Sequence, residues 1–246
     1  MGILNEIVAH KKIEVAELKK SFGNLDLSNS PKRNSFKKAL LSQKPAVIAE
    51  IKQKSPSAGL LYKSFDPISL AKQFEKNGAS ALSVLTDEKF FGGSFEILKK
   101  VSQNTTLPLL CKEFVIDSYQ IDLAKLKGAS AILLIAVILS PQEVKTFYDH
   151  AQSLGLDVIV EVHNEKEYQS IKDFNFEIIG INNRNLDTLK TDLKTSFELA
   201  PKINSGSLIV CESGIKTKND YPPQSQALLI GESFAKNPGL LLELKG

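Results

Sequence analysis

The sequence predicts an α/β protein folded as a (β/α)8 barrel, in which eight parallel strands alternate with helices around a closed ring. From residue 46 onward, short apolar runs alternate with amphipathic stretches about eight times, a rhythm typical of strand–helix units. The 246 residues match the length of one such barrel. The alternative, a doubly wound sheet, usually carries a glycine-rich loop after its first strand. Here the first strand is followed by KQKSPSAG, which contains no G-x-G-x-x-G pattern.

Residues 1–45 predict a helical extension that precedes the barrel, within one domain that spans residues 1–246. Apolar residues recur at helical spacing over residues 1 to about 20. A polar stretch rich in Ser and Asn follows over residues 24–34, and SFKKALL over residues 35–41 has a second helical pattern. Pro45 ends this section, and the first predicted strand begins directly after it.

The predicted strands are short apolar runs, and they cover residues 46–52, 81–86, 108–114, 131–137, 157–162, 178–183, 208–213 and 227–232. The stretches between them carry helix start and stop signals. In PISLAKQFEKNG, Pro67 stands near the first turn and Gly78 at the end. In SPQEVKTFYDHAQSLG, Ser140 is the predicted N-cap and Gly155 the stop.

The segment between the last two predicted strands, IKTKNDYPPQSQ, is short and contains Pro222 and Pro223. Proline lacks the amide hydrogen that a helix interior needs. We therefore expect no full helix here, and a barrel wall that is thin beside the last two strand ends.

Composition indicates a globular protein of the cytoplasm, with no nucleic acid or membrane as partner. Hydrophobic residues make up 42% and charged residues 24%, and the net charge of +3 is spread along the chain. Glu6 and Glu14 interrupt any signal-peptide core, and the longest apolar run, AILLIAVIL, is too short to span a bilayer. The two cysteines argue against a disulfide scaffold and suit a reducing compartment.

Polar side chains recur at the carboxyl ends of the predicted strands. Each stands an even number of residues from inward-pointing apolar residues of the same strand, so it has the same parity and should also point into the barrel. They are Glu50, Lys52, Lys112, Glu161, Asn182, Arg184 and Glu212. Active sites of barrels form at this end, and buried charges are costly unless they are paired. Any one of these residues could be merely solvated at a strand end, but five strands together predict one shared site. Cys111 and Cys211 have the opposite parity, so we expect both to face the helix layer.

The ends of the last two predicted strands indicate a phosphate-binding site. Strand seven ends in Glu212-Ser213-Gly214, and strand eight ends in Ile230-Gly231-Glu232-Ser233. Glycine lets the backbone approach an anion, and phosphate sites in barrels recur after these two strands.

These strand ends resemble one known family. The stretches VIAEIKQKSPSAG, LSVLTDEKFFGGSF, LPLLCKEFVIDSYQI, VIVEVHN, IIGINNRNL, IVCESGI and LLIGES stand in order over residues 47–233. They look like the motifs of the indole-3-glycerol phosphate synthase family. That resemblance implies ring closure, decarboxylation and dehydration of 1-(2-carboxyphenylamino)-1-deoxyribulose 5-phosphate in tryptophan biosynthesis. It also implies that no metal or organic cofactor is needed, and that the N-terminal extension packs over the barrel mouth.

The resemblance also implies a role for each catalytic side chain. Lys112 matches the general acid that protonates the ketone oxygen, and Glu161 matches the acid/base residue that helps to remove water. The remaining matches are Glu50 and Lys52 for proton transfer and positioning of the substrate carboxylate, Asn182 and Glu212 for orientation, and Arg184 near the carboxylate.

Further matches concern binding of a small phosphorylated anthranilate–sugar substrate. Walls for the aromatic ring correspond to Phe91, Phe114, Leu133 and Leu186. The sugar- and phosphate-contacting positions correspond to Ser55, Ser57, Ser213, Gly214, Gly231 and Glu232, with Lys54 adding charge. His163 shares the parity of Glu161, but we interpret it, like His10 and His150, as a residue outside the site.

We expect the chain to be a monomer. Two alternatives to the synthase function remain open. One is phosphoribosylanthranilate isomerase, whose resemblance would require a cysteine and an aspartate in the site, whereas both cysteines here have the wrong parity. The other is a catalytically silent barrel that binds a phosphorylated ligand. An intact Lys112 and Glu161 argue against the silent barrel.

Overall fold

A computed structural model of the chain describes residues 2–237 and 239–245. Eight parallel strands form a closed barrel, and each strand pairs with its neighbours in chain order. They are β1 (Ala46–Ile51), β2 (Ala81–Leu85), β3 (Leu109–Lys112), β4 (Ala131–Ile135), β5 (Asp157–Val162), β6 (Ile178–Asn182), β7 (Leu208–Glu212) and β8 (Ala227–Ile230). The ring closes between β1 and β8, where Ala46 pairs with Ala227. This architecture confirms the predicted fold class.

Helices separate the strands and cover the barrel. They are α1 (Ile3–Phe22), α2 (Phe36–Leu41), α3 (Pro67–Lys76), α4 (Glu88–Phe91), α5 (Phe95–Ser102), α6 (Ser118–Leu126), α7 (Pro141–Ser153), α8 (Glu165–Ile171), α9 (Lys194–Leu199), α10 (Glu232–Lys236) and α11 (Leu240–Lys245). Side chains cap many helix starts, as predicted for Ser140, which accepts a hydrogen bond from Glu143 N. Between β7 and β8 the described chain contains no helix, as the two prolines predicted. None of the described helices is long and apolar enough to cross a membrane.

Two apolar layers follow from the alternation of side chains along each strand. One layer lies inside the barrel and includes Ile48, Leu133 and Ile159. The other lies between strands and helices and includes both Cys111 and Cys211. The predicted orientation of the two cysteines is therefore confirmed.

The residues before β1 serve opposite ends of the barrel. Helix α1 lies at the carboxyl ends of the strands, where Leu4 and Ile7 join the interior apolar layer. Helix α2 lies at the amino ends, because Ser35 Oγ and the Lys37 amide both donate to the Asp157 carboxylate at the start of β5. The expectation that all of residues 1–45 lie over the mouth is thus wrong for α2, whose apolar side chains instead close the bottom of the barrel.

Candidate active site

A cavity of about 700 Å³ opens at the carboxyl ends of the strands. All but one of the residues that the sequence predicted for a site line it. They share this end of the barrel because the strands run parallel and place their last inward-facing residues on one rim.

Lys112, the last residue of β3, lies at the centre of the polar part of the cavity. Its ammonium group is 3.3 Å from Glu161 Oε2 and forms a second ion pair with Glu212. Burial favours the neutral amine, but the carboxylates of Glu212, Glu161 and Glu50 outweigh burial and raise the pKa of Lys112 above its usual value. Lys112 therefore keeps its proton and can act as an acid.

The pKa values of the two carboxyl groups beside Lys112 are shifted in opposite directions. Burial alone would raise both pKa values, but for Glu161 the charges of Lys112 and His163 outweigh burial and hold its pKa below the usual range. For Glu212, burial and the nearby Glu161 charge keep the pKa raised. Glu212 Oε1 is buried and has no hydrogen-bond partner within the described chain. Environments that separate two carboxylates in this way are typical of acid/base pairs.

A glycine on β6 makes room for these carboxylates. A Cβ on Gly180 would lie 2.7 Å from Glu212 Oε1 and 2.9 Å from Ile159 Cγ2. Real Cβ atoms do not approach that closely, so a larger residue would displace the Glu212 side chain.

Glu50 and Lys52 form a second ion pair at the end of β1. Burial would raise the pKa of Glu50, but the cations of Lys52 and Lys112 lower it. The side chain of Lys52 is 16% exposed, so its ammonium group remains accessible from the cavity. This pair places a cation where a substrate carboxylate could bind without bulk water.

Arg184 also lines the cavity, after β6. Its Nη1 donates to the Leu189 carbonyl at 3.1 Å, and its Nη2 is 3.4 Å from Glu232 Oε2. Asn182 Oδ1 accepts a hydrogen bond from the Arg184 amide. Glu232 thus uses its side chain to orient Arg184.

The loops after β7 and β8 meet at one side of the cavity. Ser213 and Gly214 have φ values of +67° and +82°, a left-handed backbone that turns the chain sharply beside the cavity. Ser233 Oγ donates to the Ile215 carbonyl at 2.9 Å, which ties the two loops together. Gly231 has no side chain to obstruct the cavity, and a Cβ there would collide with the Glu50 carboxylate.

The remaining wall is apolar. Phe114 stacks against Phe91 at 6.0 Å between ring centroids, with the planes inclined by 35°. Leu133 and Leu186 line the same cavity, as predicted. Helix α1 adds Ile3, Leu4 and Ile7, which sequence analysis missed because their helical spacing indicates only an apolar face.

Lys54 lies outside the cavity, contrary to the expectation that it adds charge there. It belongs to a short antiparallel hairpin in which Lys54 pairs with Leu60, and its ammonium group donates to the Lys89 carbonyl at 2.8 Å. Side chains alternate along this hairpin, so Ser55 faces the cavity and Lys54 faces away.

His163 contacts the site, contrary to its interpretation as a residue outside it. Its Nε2 lies 3.1 Å from Glu161 Oε1. The parity that it shares with Glu161 was the available signal. Over residues 2–237 and 239–245, no group of three His, Cys, Asp or Glu side chains is arranged to hold a metal ion.

Comparison with known proteins places the chain among enzymes of one kind. A family model described as "Indole-3-glycerol phosphate synthase" matches residues 4–245. A protein of that name from Rippkaea orientalis is 46% identical over 252 residues, covering 96% of this chain and 86% of its own. One from Caldanaerobacter subterraneus is 45% identical over 240 residues, covering 95% and 93%.

A solved structure supports the architecture alone. Tryptophan synthase subunit alpha from Legionella pneumophila superposes with a TM-score of 0.58 at 16% identity. The match covers 87% of this chain and 95% of the Legionella chain.

Proposed function

The chain belongs to the indole-3-glycerol phosphate synthase family, and from this premise we propose how its side chains divide the work of the reaction. The activity is that of a carboxy-lyase of tryptophan biosynthesis, which closes, decarboxylates and dehydrates its substrate. The observation that carries the proposal is the position of Lys112. One protonated lysine lies between Glu161 and Glu212 on the floor of a cavity with an apolar wall.

In the first step, Lys112 protonates the ketone oxygen of the substrate. The aromatic carbon that carries the carboxylate attacks the ketone carbon, and the new C–C bond pushes electrons onto the oxygen. Phe114, Leu133 and Leu186 hold the aromatic ring in position for the attack, since a near-attack geometry lowers the entropic barrier. A positioned acid contributes about 10² to 10⁴ in rate.

In the second step, carbon dioxide leaves and the ring regains its aromaticity. The departing carboxylate must first be held without bulk water around it. Lys52 and Arg184 supply cations at the cavity, and each is oriented by a neighbouring glutamate, Glu50 and Glu232 respectively.

In the third step, the ammonium group of Lys52 protonates the hydroxyl group, which leaves as water, and Glu161 takes up the carbon-bound proton whose loss forms the indole double bond. Glu161 is suited to be the base because its pKa is held low and it starts as a carboxylate. Glu212 and Asn182 orient the hydroxyl groups and Lys112. The unpaired Glu212 Oε1 is the acceptor that a substrate hydroxyl would use.

The phosphate group lies against the loops after β7 and β8. Ser213, Gly214 and Gly231 present their backbone to this side of the cavity, and Ser55 and Ser57 line it from the hairpin after β1. We propose further that one chain is the complete catalytic unit and a monomer. We also propose that it acts in the cytoplasm, where two free, buried cysteines are stable.

The alternative as a phosphoribosylanthranilate isomerase has no support in the geometry. Burial raises the pKa of Cys111, and it lies between strand and helix layers, away from the cavity. Cys211 is placed in the same way, and burial raises its pKa to about 11. Neither thiol is available as an acid or base.

The test is a fluorescence assay on the purified protein with the anthranilate-linked substrate, with and without a chelator. We expect indole fluorescence to appear at the same rate in both samples. A protein that binds the substrate without producing indole would support the silent barrel instead. A rate abolished by the chelator would contradict the assignment of the acid to Lys112.

A further inference from the structure

One imidazole lies between two carboxylates just outside the cavity. His163 follows β5, and its side chain is only 7% exposed. Its Nε2 is 3.1 Å from Glu161 Oε1, and its Nδ1 is 3.0 Å from Glu167 Oε2. Each ring nitrogen therefore faces one carboxylate oxygen, one from a cavity residue and one from helix α8.

Glu167 is itself held in place by the start of α8. Its Oε2 also accepts a hydrogen bond from the His163 amide at 2.8 Å, and its Oε1 accepts one from Asn164 Nδ2 at 2.6 Å. Asn164 in turn caps the helix by accepting from the Glu167 amide. The carboxylate that orients the imidazole is therefore fixed by a helix cap and does not depend on the substrate.

The two contacts of the ring differ in kind: Nδ1 is hydrogen-bonded to Glu167 Oε2, whereas Nε2 forms an ion-pair contact with Glu161 Oε1 and is not aligned for a hydrogen bond. A neutral imidazole would direct a lone pair at one of the two carboxylates, whereas the imidazolium is attracted to both. Burial lowers the pKa of His163, but the two carboxylates outweigh burial and raise it to about 10. The ring is thus a buried cation at neutral pH.

Glu161 contacts two cations, Lys112 and His163, through different oxygens. Glu161 Oε2 faces Lys112 at 3.3 Å while Glu161 Oε1 faces His163. Glu212 and Glu50 are the other charged groups near it, and both are negative when ionised. Without His163, Glu161 would share one cation with two other carboxylates, and its charged form would lose support.

We propose that His163, oriented by Glu167, is a positioning residue that holds Glu161 as a carboxylate with one oxygen directed at Lys112 and the substrate. This inference rests on the proposed function, because it takes Glu161 to be the base of the dehydration step. It adds two residues, His163 and Glu167, to the machinery of that step.

The experiment compares turnover in His163→Asn, His163→Gln and Glu167→Gln with the wild type across pH. Asn keeps a donor near Glu167 but none near Glu161, whereas Gln can still reach Glu161 with a neutral amide. We expect kcat to fall about 10- to 100-fold for Asn, and less for the other two variants. KM should stay within about threefold, because His163 does not line the cavity.

The pH profile separates positioning from a general loss of structure. Loss of a cation beside Glu161 raises its pKa, so the acid limb of kcat/KM should move to higher pH in His163→Asn. His150→Asn is the matched control, since His150 Nε2 also faces a carboxylate, Asp122, at 2.7 Å but lies on α7 away from the cavity. It should leave kcat and the acid limb unchanged.

Nitrogen-15 spectra of the folded protein give a readout that is independent of turnover. The chain has only three histidines, His10, His150 and His163, so the signals can be assigned by substitution. We expect both His163 nitrogens to be protonated at pH 8, and Glu167→Gln to lower the pH at which one proton is lost. A neutral His163 at pH 8 would overturn the proposal.

Two controls keep the outcomes distinguishable. A wild type without turnover, or a fully active Glu161→Gln, would contradict the proposed function itself. A wild-type acid limb and kcat in His163→Asn, beside an inactive Glu161→Gln, would overturn only the role of His163. If His163→Asn fails to fold, the pH profiles of Glu167→Gln and His163→Gln replace it. An acid limb of kcat/KM at higher pH than in the wild type supports the role of His163, and an unchanged acid limb overturns it.

Discussion

Two buried lysines in this molecule are each surrounded by three carboxylates, yet they serve different purposes. Lys112 faces Glu161, Glu212 and Glu50 in the cavity, and its side chain is 14% exposed. Lys11 of α1 has no exposed side-chain surface. Its ammonium group lies 2.8 to 3.0 Å from the carboxylates of Glu113, Glu14 and Asp87.

The two clusters contain consecutive residues of the chain. Lys112 and Glu113 are consecutive, and because strand side chains alternate, the first points into the barrel and the second points towards α1. Glu113 is also fixed by Thr86 Oγ1, which donates to it at 2.7 Å. The Lys11 cluster therefore anchors the helix that supplies Ile3, Leu4 and Ile7 to the cavity wall.

The two clusters differ in whether their lysine is accessible from the cavity. In both, burial disfavours the ammonium group and the carboxylates more than compensate, so the pKa of each lysine is raised. The side chain of Lys112 lines the cavity beside Glu212 Oε1, a carboxylate oxygen without a hydrogen-bond partner, whereas the side chain of Lys11 has no exposed surface. A closed set of charges stabilises structure, whereas an open set can exchange protons with a substrate.

The largest expected effect is on catalysis, from Lys112→Met. Loss of the acid should lower kcat by about 10² to 10⁴ while the protein stays folded and still binds a product analogue. Steady-state kinetics with a binding titration measure both quantities. Normal turnover would show that Lys112 is not the acid.

The next largest effect is on stability, from Lys11→Met. Three carboxylates would lose their buried cation, so the free energy of unfolding should fall by about 3 to 5 kcal/mol. Urea unfolding measures this change. KM should rise more than kcat falls, because α1 would hold its part of the cavity wall less firmly. An unchanged unfolding midpoint would contradict the anchoring role.

A smaller effect of opposite sign is expected from Glu212→Gln. The folded-state pKa of Glu212 is raised above its unfolded value, so its contribution to stability is present below the unfolded pKa and is lost as pH rises through the folded pKa. The variant should therefore gain about 3 kcal/mol over wild type at pH 8 relative to pH 4. Its kcat should fall less than that of Lys112→Met. If the free energies of unfolding of the two proteins change in parallel with pH, the pKa of Glu212 is not raised in the folded protein.

The smallest effect is expected from Lys19→Met on the same helix as Lys11. Lys19 pairs with Asp117 at 2.6 Å, but its side chain is 47% exposed. Surface pairs contribute less than about 1 kcal/mol, so unfolding and turnover should both stay close to wild type. A loss as large as that of Lys11→Met would mean that burial is not what separates the two pairs.

The rim of the barrel was predictable because parity along a strand is a local property. Glu50, Lys112, Glu161 and Glu212 each have inward-pointing apolar neighbours two residues earlier in the chain, and all of them reach one cavity. The same rule placed the cysteines in the helix layer. Lys54 was wrongly placed because a short hairpin reverses the chain after β1, and no signal in the residues marks which face of the hairpin meets the cavity.

The sequence by itself determined the order of elements, the closed parallel sheet and the side chains that converge on its carboxyl end, because hydrophobic periodicity and helix caps act over a few residues. Only the tertiary structure decided that α1 covers the mouth while α2 closes the bottom, that Lys11 meets Glu113, and that His163 lies between Glu161 and Glu167. These contacts depend on how charged groups from distant segments find partners once they leave water. A buried charge is stable only with such a partner, and the tertiary structure determines which charged residues become neighbours.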